Sequence, residues 1–236
     1  MAFVIDTVLL ILILVPCLVI AIVFNEVAHG YAAKALGDPT ASECGRLTLN
    51  PIAHVDLIGM LLVPGALALA GGPVFGWAKP VPVNEWRLKN PHAGMMLVAA
   101  AGPASNFLLA LVGAVVLGIA MGFAGPGVMS QESPFGVAIT MFLLINIFLG
   151  LFNLLPIPPF DGSHIVGGLL PAKIRPYWDR LQRAGIFLFL GVIAYSWIFS
   201  TSWLASTIFP AVAWMMDFYL SIAGVIGGTS LPSFAA

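Results

Sequence analysis

The sequence predicts an all-α polytopic membrane protein of about five to six transmembrane helices, with a re-entrant or β-hairpin element near residues 45–84. Hydrophobic residues make up 60% of the chain and charged residues only 8%, whereas soluble domains carry about 25% charged residues. Several stretches approach the ~20 apolar residues that cross a bilayer. The shorter stretch 57–70 is interrupted by Pro64 and Gly65, which favours a re-entrant hairpin or a broken helix.

Five apolar stretches define the predicted spans in chain order. They are Leu9–Phe24, Met95–Phe123, Phe135–Leu155, Ile186–Phe199 and Trp203–Ile226. The first stretch continues as helix to about Leu36 and stops at Gly37-Asp38-Pro39, where glycine and proline end helices. No Lys or Arg precedes Lys34, so we expect a retained helix rather than a cleaved signal peptide.

Basic residues are distributed unevenly among the loops, which predicts the orientation in the membrane. They flank the 57–70 stretch or lie between the third and fourth spans: Lys34, Arg46, Lys79, Arg87, Lys89, Lys173, Arg175, Arg180 and Arg183. By the positive-inside tendency these loops face the cytoplasm and the N-terminus faces outward. The lipid bilayer is therefore an expected partner, while a net charge of −1 gives no reason to expect nucleic acid.

The end of the first span carries an incomplete metalloprotease motif. Residues 25–29 read Asn-Glu-Val-Ala-His, which is the pattern H-E-x-x-H with asparagine at its first position. In the intact pattern two histidines at i and i+4 bind one Zn²⁺ from one helix face, and the glutamate takes a proton from water. A Glu and a His one turn apart also occur simply as a hydrogen-bonded pair, so the motif alone is a weak signal.

A second polar group follows the third span, in the proline-rich segment Asn153–Gly162 that contains Asp161. A catalytic zinc site needs three protein ligands and one open position, and Asp161 offers a carboxylate. The loop charges place Asp161 and His29 on the same side of the membrane. A turn in which Asp161 caps a helix is the alternative. Because charges within spans are costly and few, Glu26, His29 and Asp161 together predict a functional site.

These motifs together resemble the site-2 protease family of intramembrane zinc metalloproteases, in its minimal bacterial type without a PDZ or CBS domain. The resemblance runs from about residue 24 to 170 through ordered segments, and the last two spans carry no comparable motif. The segments are Asn25–Gly30, Leu36–Ala41, Gly45–Pro51 with His54 and Asp56, Phe75–Asn84, Ala101–Asn106 and Asn153–Gly162. The resemblance implies one membrane-embedded protease domain over 1–236, with a catalytic core at about 7–170 and C-terminal helices at about 184–226.

The family pattern implies a role for each matching residue. Asn25 stands at the first zinc-ligand position, His29 at the second and Asp161 at the third, while Glu26 is the general base that activates water and later protonates the leaving amine. One Zn²⁺ is the implied cofactor. The implied partners are single-pass transmembrane protein substrates, and the implied location is the bacterial inner membrane with the active site toward the cytoplasm.

Two further asparagines are predicted to contact substrate. The amide of Asn106 is placed by the resemblance near the active site, where it could donate to the substrate carbonyl or to the oxyanion; packing between helices is the alternative role. Asn153 opens the last motif segment and is the second candidate. The sequence assigns no role to His54 or Asp56.

The segments 46–49 and 79–83 look extended, and their prolines suit an edge strand. The resemblance implies a small sheet beside the site, to which an unwound substrate segment could add as a strand. An ordinary loop hairpin is the alternative.

Asparagine at position 25 raises the question of activity, because its neutral amide oxygen is a poor ligand for Zn²⁺. Weakened zinc affinity is therefore expected. We favour an exchange made in an active protease, since Glu26 is retained; a natural pseudoprotease that binds membrane segments without cleavage is the alternative. Replacement of the missing ligand by His54, His92 or His164 is a third possibility. An ion- or proton-coupled transporter is a rival from another class, although no inverted repeat is visible.

Overall fold

The computed structural model of the chain describes residues 7–69, 76–130, 133–199 and 203–234. Regular structure in these ranges is entirely helical, which confirms the all-α prediction. Residues 70 and 75, which close the predicted 57–70 stretch and open the Phe75–Asn84 segment, lie outside the described ranges.

Nine α-helices and four short turns follow one another along the described chain. The helices are α1 Thr7–Ala35, α2 Thr40–Glu43, α3 Val63–Leu69, α4 Pro91–Ala124, α5 Pro134–Asn153, α6 Asp161–Leu169, α7 Arg175–Arg183, α8 Gly185–Ile198 and α9 Trp203–Gly227. A π turn over Ile58–Leu62 leads into α3. Single 3₁₀ turns occupy Pro51–His54, Glu85–Arg87 and Pro126–Met129.

Within the described ranges four helices are long and apolar enough to cross a membrane: α1, α4, α5 and the Ser206–Gly227 part of α9. The chain is thus an integral membrane protein. The predicted span Ile186–Phe199 corresponds to α8, whose 14 residues reach only about 21 Å, short of the ~30 Å hydrocarbon core. The π turn and α3 together are shorter still, as expected for a broken helix.

The predicted β-hairpin within 45–84 is wrong for the described residues, because 46–50 and 76–84 are extended but form no strand pairing. The backbone donors of the second segment are absent or used elsewhere. Pro80 and Pro82 have no N–H, and the Lys79 N–H donates to the His54 carbonyl at 3.0 Å. The Arg46 guanidinium donates to the Lys79 carbonyl at 2.8 Å, so a side chain connects the two segments.

The described chain separates into two compact units, and the predicted single domain over 1–236 stays a prediction. The first unit comprises Met1–Ala21, Ala104–Leu151 and Ala205–Ala236. Small residues allow its helices to approach closely. A Cβ built on Gly118 of α4 would meet the Ala223 carbonyl oxygen and the Ile226 Cβ of α9 at 2.7 Å each. Larger residues at Gly118 would therefore force α4 and α9 apart.

The second unit comprises Ile22–Pro103 and Phe152–Leu204, and Asp38 organises the chain after α1. Gly37 has φ of +111°, the left-handed conformation in which helices commonly end. The Asp38 carboxylate accepts hydrogen bonds from the Thr40 N–H at 3.0 Å, from the Thr40 hydroxyl and from the Asn84 N–H at 2.6 Å. Asp38 thereby connects the end of α1 to the extended segment that precedes α4.

We expect Asp38→Asn to reduce the free energy of unfolding by about 1–3 kcal/mol, because one buried donor loses its acceptor. Burial opposes ionisation, but the hydrogen bonds from Thr40 and Asn84 and the nearby Arg87 lower the pKa of Asp38 below its usual 3.8. A depressed folded-state pKa stabilises the fold above the unfolded-state pKa. The stabilisation is lost as the pH falls through the folded-state value, below pH 3.8.

The measurement is thermal unfolding of the purified protein in detergent at neutral pH and at pH values below 3.8. Wild type and variant should differ at neutral pH and converge in acid. Glu43→Gln is the matched control, because Glu43 is half-exposed and pairs with Arg87 at 2.5 Å, and exposed pairs contribute only about 0–1 kcal/mol. Equal losses for both variants would contradict the special role of Asp38.

Candidate metal centre

His29 and Asp161 come together in the second unit. The His29 Nε2 lies 3.2 Å from Asp161 Oδ2, with side chains 12% and 23% exposed. The other ring nitrogen, Nδ1, lies 2.8 Å from the Val98 carbonyl oxygen on α4. Because a carbonyl only accepts, Nδ1 carries a proton, and Nε2 is the atom left to bind a metal. A backbone carbonyl that orients a histidine in this way is the usual partner of a metal-binding imidazole.

Asp161 is the first residue of α6, and tight backbone packing fixes it there. A Cβ on Gly162 would overlap the carbonyl oxygens of Leu154 and Leu155, so only glycine allows this approach. The Ser163 hydroxyl donates to the Phe160 carbonyl at 2.8 Å. The helix begins without a side-chain cap, and the Asp161 carboxylate faces His29 instead. The interpretation of Asp161 as a simple helix cap therefore does not describe its main contact.

Asn25 lies one turn before His29 on α1, is 5% exposed, and faces the same point on α4. A Cβ built on Gly102 would overlap His29 Nε2 and would meet Asn25 Nδ2 at 2.8 Å. The absent side chain of Gly102 thus leaves a cradle into which both groups project. The structure brings together all three residues predicted at the ligand positions.

The geometry of the pair fits zinc. Two ligand atoms that each lie ~2.1 Å from a tetrahedral ion are about 3.4 Å apart, close to the 3.2 Å between His29 Nε2 and Asp161 Oδ2. Imidazole and carboxylate are both ligands of catalytic zinc. In the described ranges no group of three His, Cys, Asp or Glu side chains could hold a metal. Position 25, where the sequence analysis predicts the first ligand, carries asparagine.

Glu26 is held by the extended segment that replaces the predicted strand. Its Oε2 accepts the Val81 N–H at 2.7 Å. Pro80 and Pro82 flank Val81 and have no N–H, so Val81 supplies the one backbone donor of this tripeptide. The contact orients the carboxylate of the predicted general base.

Asn106, in the first unit, is fully buried and joins helices. Its Nδ2 donates to the Ala21 carbonyl of α1 and to Asn146 Oδ1 of α5, both at 3.1 Å. The Asn146 amide donates in turn to the Phe142 carbonyl at 2.8 Å. These contacts support the packing role, while the predicted contact with substrate stays a prediction. Asn153 is half-buried at the last residue of α5, and its substrate role also stays a prediction.

His54 is a candidate to which the sequence could assign no role. It is 2% exposed, and its Nε2 lies 2.9 Å from the Thr48 carbonyl oxygen, so Nε2 donates. The Nδ1 atom is buried and has no hydrogen-bond partner in the described part of the chain. Asp56 has a local role, because its Oδ1 accepts the N–H groups of Ile58 and Gly59 at 2.9 and 2.8 Å and thereby caps the π turn.

The histidines considered as replacements for the first ligand do not complete a metal-binding group within the described ranges. His92 is exposed in the first turn of α4. His164 is half-buried on α6, and its Nδ1 lies 3.4 Å from Gln182 Nε2. The sequence drew attention to His54 because it lies three residues after Pro51 in a family-like segment. That pattern did not indicate what the imidazole does.

Comparison with known proteins agrees with the motifs. The family model described as Peptidase family M50 matches residues 128–194, a range that contains Asp161 and lies after the Asn25–His29 helix. A curated protein of Bacillus subtilis (strain 168), "Putative zinc metalloprotease YwhC", is 37% identical over 177 residues, which cover 75% of this chain and 78% of that protein. No solved structure matches the chain.

The identity and coverage of that relative confirm the resemblance drawn from the motifs. They also agree with the four apolar helices of the described ranges. The chain therefore belongs to peptidase family M50, the site-2 proteases, which are intramembrane zinc metalloproteases.

Proposed function

We propose that this chain is the catalytic core of an intramembrane protease that hydrolyses peptide bonds in or near the transmembrane helices of single-pass substrates. We further propose that Asn25 weakens its zinc site and suppresses cleavage. The observation that carries the proposal is the convergence of Asn25 and His29 on the cradle at Gly102, with the Asp161 carboxylate 3.2 Å from His29. Retention of Glu26 with an orienting backbone donor favours a site built for hydrolysis.

His29 and Asp161 would hold the ion, with the amide of Asn25 facing it. When bound, zinc would act as a Lewis acid that polarises the substrate carbonyl and strengthens water as a nucleophile. Glu26 would take the proton from the attacking water and pass it to the leaving amine. The Val81 N–H holds one carboxylate oxygen, so the other oxygen is the candidate for the proton transfer.

The effect of Asn25 follows from ligand chemistry. An amide oxygen is neutral and hard, whereas Zn²⁺ favours imidazole and thiolate. Loss of a supporting hydrogen bond alone typically lowers metal affinity 10- to 100-fold, so loss of a direct ligand should cost more. A membrane protein with two strong ligands would bind substrate helices but hold zinc only at high free concentrations.

The membrane and its orientation are part of the proposal. The basic residues near the site include Lys34, Arg46 and Lys79, and such residues favour the cytoplasmic face. We therefore place the active site toward the cytoplasm of a bacterial inner membrane. A substrate helix would have to unwind before its peptide bond reached Glu26. Contact of an unwound chain with the extended segment 76–84 would have to use groups other than the N–H groups of Lys79, Val81 and Asn84, which are already bonded.

Restoration of the ligand tests the proposal directly. We expect Asn25→His to raise zinc affinity by about 100-fold or more, since it supplies a third strong ligand in place of a weak one. Zinc per protein is measured by elemental analysis, and affinity by chelator competition, on the full chain in detergent. Cleavage of a model transmembrane peptide should appear only in the restored protein.

Asn25→His combined with Glu26→Gln is the matched control, which should bind zinc as tightly but cleave nothing. If the Asn25 protein already held stoichiometric zinc and cleaved the peptide, the ligand assignment would be wrong. If the restored protein bound neither zinc nor substrate, the protease proposal would fail. Zinc-free binding of helices without cleavage in both forms would favour the pseudoprotease, and ion movement across vesicles would favour the transporter.

The cradle gives a second prediction. In the Asn25→His background, Gly102→Ala should lower zinc affinity at least about tenfold, because its methyl group overlaps His29 Nε2 and small misplacements of ligands are costly. Gly122→Ala on the same helix is the control, since its nearest neighbour would be 4.0 Å away. Glycine to alanine within a helix normally stabilises by about 0.5–1 kcal/mol. Equal zinc affinity in both variants would show that Gly102 does not border the site.

A further inference from the structure

Helix α7 has three different faces, and one of them is packed against α6. The Trp178 Nε1–H donates to the Ser163 carbonyl at 2.9 Å. Four residues later on the same face, Gln182 Nε2 lies 3.4 Å from the Ser163 hydroxyl. These contacts fix the rotation of α7 about its axis, so the direction of its remaining side chains is set.

A second face is apolar but exposed. Ile174, Tyr177 and Leu181 are 50%, 70% and 40% exposed. Their spacing of three and four residues forms one stripe along the helix. Exposure of such a stripe to water is unfavourable, because burial of apolar surface stabilises by about 25 cal/mol per Å². The stripe therefore indicates an apolar partner.

A third group of side chains is basic. Lys173, Arg180 and Arg183 are exposed, and Asp179 is the one acidic residue between positions 170 and 184. The Arg180 guanidinium lies 6.0 Å from the centre of the Tyr177 ring, so charge and apolar stripe adjoin. Arg175 is occupied otherwise, because its Nη2 donates to the Leu170 carbonyl at 3.0 Å.

The position of α7 in the chain places this surface beside hydrocarbon. A single residue, Ala184, separates it from α8, whose 14 residues include no charged side chain. Gly185 begins α8, and a Cβ built on it would overlap the Cβ of Pro158. Phe187, in the first turn of α8, is 75% exposed. An amphipathic basic helix joined directly to an exposed apolar helix fits the boundary between headgroups and acyl chains.

We propose that α7 is a binding site for anionic phospholipid at the membrane surface. Ile174, Tyr177 and Leu181 enter the boundary between headgroups and acyl chains, while Lys173, Arg180 and Arg183 contact lipid phosphates. Charge complementarity selects the occupant, because anionic headgroups attract Lys and Arg near the surface. The apolar stripe of such a helix inserts by only about 5–10 Å, so the basic side chains stay at the level of the lipid phosphates.

Hydrogen exchange of the full chain in nanodiscs tests the site. Phosphatidylglycerol is titrated into phosphatidylcholine discs, and exchange is followed at the backbone amides of residues 174–184. We expect exchange to slow as the anionic fraction rises. The triple variant Lys173→Gln/Arg180→Gln/Arg183→Gln should require more anionic lipid for the same protection, by about fivefold for each cation removed.

The control triple variant Lys34→Gln/Lys79→Gln/Lys89→Gln removes the same number of exposed cations elsewhere and should keep the native titration. An equal shift in both triples would mean that total charge is responsible, and would overturn the site. Absence of any lipid dependence in the native chain would do the same. Unchanged exchange in α4 serves as the check that each variant is folded.

Two further arms separate the proposed lipid from other occupants. Free inorganic phosphate added to pure phosphatidylcholine discs should give no protection; full protection would assign the cations to a soluble anion instead. Tyr177→Ser/Leu181→Ser keeps the charge and should reduce protection in anionic discs. If this double variant were protected as well as the native chain, insertion of the stripe would be disproved.

Discussion

The close approach of α1 to α4 at Gly102 is the constraint on which the candidate site depends. A Cβ at this position would overlap His29 Nε2, so this imidazole nitrogen occupies space that any other residue would fill. The same helix supplies the Val98 carbonyl that fixes the imidazole. Helix α4 therefore both leaves space for the His29 imidazole and orients it. It does so through its backbone, without contributing a side chain.

Polar groups within this apolar chain are paired by backbone as much as by other side chains. Glu26 accepts from the Val81 N–H, and Arg46 donates to the Lys79 carbonyl. Such pairing matters where water is scarce, because an unpaired buried polar group costs several kcal/mol. Because the extended segment before α4 is not paired as a strand, its backbone can bond the side chains of Glu26 and Arg46. Its backbone groups bond side chains around the site, as those of Val81 and Lys79 do.

Asparagine at the first predicted ligand position is compatible with the rest of this arrangement. Asn25 is close in shape to histidine at Cβ and Cγ, is buried, and faces the cradle. The fold therefore accommodates an amide at position 25, where the family pattern implies a zinc ligand. The architecture of the family is thus kept with asparagine at this position, and the proposed effect of Asn25 on zinc affinity stays a prediction.

Composition and periodicity were sufficient for the helical membrane fold, because bilayer hydrocarbon excludes most other structures. They predicted a span at Ile186–Phe199, where the structure has the 14-residue apolar helix α8. They also predicted strands where proline-rich backbone is extended. The partner of each backbone N–H group depends on the tertiary structure, as the contacts of Lys79 and Val81 show.

By itself, the sequence determined that α1 delivers Asn25, Glu26 and His29 from one helical turn, because a spacing of four residues fixes a common face. It also named Asp161, although 132 positions along the chain separate it from His29. Only the tertiary structure decided that these two side chains lie 3.2 Å apart and that Gly102 leaves space for His29 and Asn25. It likewise decided which face of α7 is left exposed. Contacts between distant segments depend on how helices pack, and a linear pattern does not contain that information.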